Sequence, residues 1–196
     1  MATFQNKYRI ESARLESWDY SWPGWYYVTI STRDKTSCFG GVRNNLVCRS
    51  PLGDIAPNYW LEIPKHHANA EHDDFIVMPN HVHGIIILDG MQVGARPKDH
   101  RRDVQLNVST NQTTRQENAT MANLSPCSGS LSVIVRTFKG AVTTWARDNG
   151  FGGFAWQERF HDHIIRNAAD LHRIRTYVRN NPLKWALDEE NPDNIH

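Results

Sequence analysis

The chain has 196 residues, of which 39% are hydrophobic and 22% are charged, and its formal net charge at pH 7 is +1. This composition excludes an intrinsically disordered chain and a membrane-embedded one, and the length is sufficient for one globular domain with a buried core. The three cysteines lack a Cys-x-x-Cys spacing, which argues against a disulfide framework and against a thiolate zinc site.

Two absences in the sequence bear on where the protein works. The longest apolar runs, residues 75–78 and 85–88, are far too short to cross a bilayer. The first residues show no basic segment followed by an apolar stretch, which a secretory signal would require. We therefore expect a cytoplasmic protein with no membrane partner.

The first part of the chain predicts a strand, a hairpin and a helix. Residues 25–32 are rich in aromatic and β-branched side chains, which predicts a first strand. Residues 38–48 contain short apolar runs around glycines and asparagines, as in a β-hairpin. Apolar residues suggest a helix over residues 58–70, which Pro64 should kink or end.

A second hairpin and a long helix follow. Residues 73–78 and 81–88 are apolar runs joined by Pro79-Asn80, which fits two adjacent antiparallel strands with a tight connection. Over residues 131–145, apolar side chains recur at spacings of three and four. This period predicts a helix that Asn149-Gly150 ends.

The end of the chain predicts one more strand and one more helix. Residues 154–165 are expected to form the strand. Asn167 can cap a helix that runs from Ala168 to about Asn181, and Pro182 should stop it.

The order of these elements indicates a fold class. Strand, helix, strand, strand, helix, strand and one extra helix is the order of a ferredoxin-like α+β fold, an antiparallel sheet with helices on one face and an appended C-terminal helix. Residues 89–128 are too polar to bury much surface, and we expect them to form a mobile insertion in a single domain that spans residues 1–196. In this topology the strand at residues 81–88 lies inside the sheet.

His81 and His83 are the first candidate site. Because side chains alternate along a strand, both histidines point to one face while Val82 points to the core. Two imidazoles on one face can hold a metal ion and leave its other coordination positions open. A pair of solvated histidines on a half-buried strand has the same sequence pattern.

Tyr177 and Asn181 are the second candidate site. They are four residues apart and therefore lie on one face of the last helix. Tyr177 falls near the edge of the apolar stripe, from which its hydroxyl can reach a cleft, and the amide oxygen of Asn181 can bind a hard cation. A packing role for Tyr177 and a capping role for Asn181 are the alternatives.

Basic residues are concentrated in the second half of the chain. Residues 131–185 contain nine lysines and arginines against four acidic residues. Such a segment can meet a phosphate backbone, and it can equally be the solvated surface of helices.

Taken together, these segments resemble a known family. The chain is similar to the single-tyrosine HUH transposases and, among them, to the REP-associated tyrosine transposases of bacteria. The matching segments occur in family order and cover most of the chain outside residues 89–128. They are Tyr26-Tyr27-Val28-Thr29, the block from Phe75 through His81-Val82-His83-Gly84, Phe138-Lys139, the run from Trp156-Gln157 through Phe160-His161-Asp162-His163 to Arg166, and Tyr177-Val178-Arg179-Asn180-Asn181-Pro182.

The resemblance implies roles for individual residues. It implies that His81 and His83 bind a divalent metal, with Asn181 as the third ligand, and that Tyr177 is the nucleophile. It places His163 on a neighbouring strand as a support for the site. Plausible phosphate contacts on the basic segment are Lys139, Arg173 and Arg179.

The resemblance also implies a substrate and a setting. The expected partner is single-stranded DNA, near imperfect hairpins of repetitive extragenic elements, and the protein would then be nucleoid-associated in the cytoplasm. The expected assembly is a monomer if the last helix folds back on its own chain, or a homodimer if two chains exchange it.

The residue types suit cleavage of a phosphodiester by a phenol and a metal ion. Two neutral imidazoles and a neutral amide leave the charge of the ion uncompensated, which favours Mg²⁺ or Mn²⁺ over structural zinc and predicts weak metal binding without DNA. Two other functions fit the same residues. One is a DNA-hairpin-binding protein that no longer cleaves, and the other is an unrelated zinc hydrolase that uses His81, His83 and His163.

Overall fold

The computed structural model describes residues 3–4, 7–8, 18–89, 127–188 and 190–194. The strands are β1 (Thr3–Phe4), β2 (Lys7–Tyr8), β3 (Gly24–Ser31), β4 (Gly40–Arg43), β5 (Leu46–Arg49), β6 (Ala70–Val77), β7 (His81–Leu88) and β8 (His161–Ile165). The helices are α1 (Pro51–Leu61), α2 (Ile63–His66), α3 (Leu131–Asp148) and α4 (Ala168–Lys184), with 3-10 turns at Arg33–Lys35, Trp185–Leu187 and Pro192–Asn194. The predicted mobile insertion lies outside the described residues, apart from its two ends.

The central sheet has four strands in the order β6-β7-β3-β8, and each neighbouring pair is antiparallel. β3 pairs with β7 along its whole length, from Gly24 opposite Leu88 to Ser31 opposite His81. This topology confirms the predicted α+β fold, a ferredoxin-like antiparallel sheet with an appended C-terminal helix. It also places β7 inside the sheet, where its backbone is held by a strand on each side.

One face of the sheet packs against α1 and α3 and forms the main core. Alternate residues of the two central strands point to this face, because side chains of a strand alternate. The main core includes Tyr26, Val28 and Ile30 of β3, Val82 and Ile86 of β7, Trp60 of α1 and Phe138 of α3. Burial of each such large apolar side chain stabilises the fold by about 1.5–3 kcal/mol.

The other face of the sheet carries α4. Ile174 and Val178 of this helix pack on Ile85 and Ile165 in a second, smaller core. Ion pairs anchor the helix to β6: Arg175 pairs with Asp73, and Arg179 Nε lies 2.8 Å from an oxygen of Asp74. At its N-terminus the side chain of Asn167 accepts a hydrogen bond from the backbone of Asp170, as the sequence predicted.

The helix expected over residues 58–70 begins earlier and is interrupted. Ser50 accepts a hydrogen bond from the backbone of Gly53, and Pro51 occupies the first helical position, so α1 begins at Pro51. It ends at Leu61, and a separate turn, α2, contains Pro64 in its first two positions. The predicted first residue of the helix was wrong, because the Ser50 cap, and not the apolar periodicity, sets where the helix begins.

Of the strand expected over residues 154–165, only the last five residues, β8, form a strand. Trp156 forms only an isolated bridge with Thr32, and its ring packs with Phe39, Phe138 and Phe154. The aromatic side chains of this run fill the core. Their hydrophobicity therefore did not indicate a longer strand.

The last helix continues through Pro182 to Lys184. The prediction that Pro182 stops it was wrong: the proline lies in the last turn, where it removes one backbone donor, and the helix continues for two residues beyond it. Asn181 therefore lies inside α4 and does not cap it. In the described part of the chain, no helix combines the length and the apolar character needed to cross a lipid bilayer.

Gly84 gives a test of the core beneath the sheet. A Cβ at this position would overlap the indole ring of Trp60, which is fully buried. We expect Gly84→Ala to lower the free energy of unfolding by about 1–3 kcal/mol, measured by urea denaturation. The matched control is Gly140→Ala in α3, where a Cβ meets no atom within 4 Å and should raise stability by about 0.5–1 kcal/mol. Equal stability of Gly84→Ala and the unsubstituted chain would contradict this packing.

Candidate active site

His81 and His83 lie side by side on the face of the sheet opposite the main core. Both are buried, and the centroids of their rings are 4.3 Å apart. In the register of the sheet, His83 lies opposite Thr29 and His81 lies opposite Ser31. The alternation that sends Val82 into the main core therefore brings both imidazoles to one place.

The hydrogen bonds of Asn80 determine which nitrogen of His81 is protonated. The side-chain nitrogen of Asn80 donates to the carbonyl oxygens of Lys35, at 3.0 Å, and of Glu190, at 2.6 Å. Its side-chain oxygen lies 2.8 Å from Nδ1 of His81, so Nδ1 must be the donor. The lone pair of His81 is then on Nε2.

His83 is oriented in a similar way by two hydroxyl groups. Its Nδ1 lies 2.7 Å from the hydroxyl of Tyr27 and 3.0 Å from Oγ1 of Thr29. Both oxygens can accept a hydrogen bond from a protonated Nδ1, and in that tautomer Nε2 carries the lone pair. The two histidines thus present equivalent nitrogens to the same space.

Burial keeps both imidazoles neutral. It lowers the pKa of His81 to about 3, with a smaller contribution from the charge of Lys35. Burial also lowers the pKa of His83 well below its ordinary value, and the neighbouring His81 adds to the shift while Asp188 opposes it. Neutral imidazoles have lone pairs available for a metal ion, whereas imidazolium groups do not.

Asn181 of α4 contributes an oxygen on the other side of the cleft. The residue is buried, and its side-chain nitrogen donates to Oδ2 of Asp188 at 3.0 Å. That bond fixes the orientation of the amide, and in the described part of the chain Oδ1 has no hydrogen-bond partner.

Asp188 was missed by the sequence reasoning. It is buried just beyond the last helix, and its carboxylate, His81 and His83 offer ligand atoms that all lie within 4.8 Å of one another. A carboxylate partly compensates the charge of an ion, so the expectation of an entirely neutral ligand set was incomplete. No periodicity marks this residue, and its short distance in sequence from Asn181 was the one available signal.

These side chains fit a divalent cation. Buried nitrogen and oxygen atoms normally have hydrogen-bond partners. Nε2 of His81, Nε2 of His83 and Oδ1 of Asn181 are buried and have no such partner among the described residues. Together with the carboxylate of Asp188 they form a mixed nitrogen and oxygen set that could hold a divalent metal ion.

Tyr177 lies at the mouth of the same site. Its ring centroid is 5.3 Å from that of His83 and 6.3 Å from that of Tyr27, and 40% of the residue is exposed. Tyr177, His83, Asn181 and Asp188 all line one cleft of about 510 Å³ between the sheet and α4. The phenol and three of the candidate metal ligands therefore line one cavity, and His81 lies beside His83.

Tyr27 is a second phenol in this cleft, with a different environment. Burial is the main cause that raises its pKa above its usual range, and interactions with Tyr177 and Asp188 act in the same direction. Tyr27 therefore stays protonated and supports His83, while the more exposed Tyr177 is accessible to a substrate.

A second His-x-His pair, His161 and His163 of β8, is divided between two environments. His161 lines the cleft, whereas Nε2 of His163 binds the carboxylate of Asp170 at 2.7 Å. Among the described residues, the group of possible metal ligands contains His81, His83 and Asp188 but not His163. The structure therefore does not assemble the three histidines that a zinc hydrolase would require.

The three predicted phosphate contacts all have partners within the protein. Arg173 Nη2 lies 2.6 Å from an oxygen of Asp170, and Arg179 pairs with Asp74. Lys139 donates to the carbonyl oxygens of Gln157 and Glu158 at 2.6 and 3.2 Å, on the opposite side of the sheet. Their contacts with DNA remain predictions.

Comparisons with other proteins bear on the fold and the family. No family model matches the chain. A protein of Haemophilus influenzae, described as an uncharacterized protein, is 32% identical over 180 residues, which cover 91% of this chain and 91% of that protein.

Two solved structures are similar. A REP-associated tyrosine transposase bound to a REP hairpin superposes with a TM-score of 0.53 and 16% sequence identity, covering 89% of this chain and 74% of that chain. A transposase-like protein from Deinococcus radiodurans, described as putative, gives a TM-score of 0.39 and 13% identity, with coverage of 88% and 97%. The first likeness shows that the chain has a transposase-like fold.

Metal binding can be tested directly by isothermal titration calorimetry with Mn²⁺. We expect His83→Ala to abolish binding, because it removes a ligand, and Asp188→Asn to weaken binding about tenfold or more. The control His161→Gln changes a histidine that is exposed in the same cleft and should bind Mn²⁺ normally. Loss of binding in His161→Gln, with retention in His83→Ala, would assign the metal to the other pair.

Proposed function

The chain belongs to the same family as the Haemophilus influenzae protein, and from its cleft we propose that it is a metal-dependent enzyme that cleaves and rejoins single-stranded DNA through Tyr177. One observation carries this proposal. The ring of Tyr177 lies 5.3 Å from that of His83, in a cleft where the buried nitrogen and oxygen atoms of three predicted metal ligands lack partners. A nucleophile and an electrophilic centre are the two parts that this reaction needs.

The chemistry exchanges one phosphodiester for another. The hydroxyl oxygen of Tyr177 forms a bond to a backbone phosphorus, and the bond from that phosphorus to the 3′ oxygen breaks. The 3′ oxygen leaves as a hydroxyl, which balances the proton lost by the phenol, and the 5′ phosphate stays linked to the tyrosine. A second 3′ hydroxyl can reverse these changes on a new strand, so no nucleotide cofactor is required.

Mg²⁺ or Mn²⁺ would be held by His81, His83 and Asn181, with Asp188 beside them. When bound, such an ion polarises a non-bridging phosphate oxygen and stabilises the charge that develops on phosphorus. The protein contributes orientation: Asn80 fixes His81, Tyr27 and Thr29 fix His83, and Asp188 fixes the amide.

The proposed substrate is single-stranded DNA that carries an imperfect hairpin. Support comes from the fold, which is similar to that of a solved transposase bound to a REP hairpin. The last helix packs back on the sheet of its own chain through Ile174 and Val178, and on this basis we propose a monomer as the catalytic unit. This assignment favours a transposase-type strand transferase over a hydrolase of small esters.

The nucleophile is tested by a covalent adduct with hairpin-bearing oligonucleotides in the presence of Mn²⁺. We expect Tyr177→Phe to lose the adduct completely on a denaturing gel, because the attacking oxygen is absent. The matched control is Tyr27→Phe, which removes the other phenol of the cleft. It should still form the adduct, about tenfold more slowly, because His83 loses one of its two hydroxyl partners.

Two outcomes would contradict the proposal. Adduct formation by Tyr177→Phe would show that another residue is the nucleophile. Hairpin binding without any adduct in the unsubstituted chain, across a series of divalent metals, would instead favour a protein that binds DNA hairpins and no longer cleaves them.

A further inference from the structure

A strand of DNA in the Tyr177 cleft requires positive charge from the protein, and most basic residues near the cleft already have partners. Arg173, Arg175 and Arg179 of α4 all pair with carboxylates. Lys184 is different: it lines the cleft, its side chain is exposed, and among the described residues it forms no ion pair. In the same part of the chain, no other lysine or arginine lines the cleft.

The fold places Lys184 on the same stripe of α4 as Tyr177 and Asn181. The three residues are at positions i, i+4 and i+7, which share one helix face. Because α4 continues through Pro182, its last turn carries Lys184 to the cleft, about 10 Å along the helix axis from Tyr177. A helix that stopped at Asn181 would not have extended this stripe to Lys184.

The charges of the cleft make this lysine important for an anionic substrate. Two carboxylates, Asp188 and Glu190, line the same cleft. Glu190 is 3.9 Å from Lys35 and accepts a hydrogen bond from Ser31, so its charge is partly compensated. The metal ion of the proposed function would act at the attacked phosphate, so a phosphate farther along the strand needs a second cation near its path.

We infer that Lys184 is a substrate-positioning residue that holds a backbone phosphate next to the one attacked by Tyr177. Seven residues, or about two helical turns, separate the backbone of Lys184 from that of Tyr177, so we assign the lysine to a neighbouring phosphate and not to the scissile one. The inference deepens the proposed function, because it rests on DNA occupying this cleft. Lysine binds phosphate as a point charge, so its contact with the backbone does not depend on the base sequence.

A purely structural role for Lys184 makes a different prediction. A cation in the last turn of a helix stabilises the helix dipole, and such a lysine would affect stability but not the salt dependence of DNA binding. Each phosphate contact on a single strand adds about 0.7 to the slope of log K against log salt concentration. That slope therefore separates the two roles.

The experiment measures binding of a fluorescein-labelled oligonucleotide, an imperfect hairpin with a single-stranded 5′ flank, by fluorescence anisotropy. The full chain carries Tyr177→Phe, so that no covalent complex forms, and the salt concentration runs from about 50 to about 200 mM. We expect Lys184→Ala to weaken binding several-fold and to reduce the salt slope by about 0.7, while Lys184→Arg keeps the original slope.

The matched control is Lys65→Ala on α2, an exposed lysine of the helical layer behind the sheet. It should leave the slope unchanged. A slope for Lys184→Ala equal to that of its parent overturns the inference, even if binding is weaker. Unfolding curves of each variant show whether a change in affinity has a structural origin.

Failure of this inference is distinguishable from failure of the proposed function. A normal slope in Lys184→Ala, with a Tyr177 adduct in the unsubstituted chain, overturns the role of Lys184 alone. A reduced slope without any adduct supports Lys184 as a phosphate contact and overturns strand transfer. No binding of the oligonucleotide at all overturns both.

Discussion

The side-chain amide of Asn80 connects three parts of the chain. Its nitrogen donates to the carbonyl oxygens of Lys35 and Glu190, and its oxygen accepts from His81. Because these donors are committed, the amide cannot rotate without losing buried hydrogen bonds, each worth about 1 kcal/mol or more. The orientation of His81 and the position of the segment after α4 depend on this one group. That segment reaches the candidate ligands, because the backbone nitrogen of Glu190 donates to Oδ1 of Asp188 at 2.8 Å. A tight connection between β6 and β7 thus also determines the chemistry of the cleft.

The cleft exists because the two faces of the sheet have different partners. α1 and α3 cover one face with apolar side chains, whereas α4 covers only part of the other. Ile174 and Val178 hold α4 on the sheet, and its ion pairs with β6 fix its direction, so a polar cavity remains beside the histidines. The apolar contacts hold α4 on the sheet. Side chains on another stripe of α4 line the cleft.

Much of this arrangement could be predicted from the sequence, because it follows from local periodicity. The strand that carries His81 and His83 has the predicted bounds, and its alternation sends Val82 to the core. The prediction failed in two places, one for a local reason and one for a tertiary reason. Pro182 did not end α4, and the aromatic run near Trp156 fills the core without extending β8. Asp188 and Lys184 could not be found from pattern alone, since their positions depend on how α4 is docked.

Trp185 has a consequence for how this centre can be observed. Its indole ring lies 6.0 Å from the ring of His81, immediately after α4. A paramagnetic ion held by the imidazoles would therefore sit close to an intrinsic fluorophore, and its arrival would quench indole emission. Such quenching would report occupancy of the site without a label and without nucleic acid. Replacement of this one indole by phenylalanine would identify its share of the signal among the seven tryptophans of the chain.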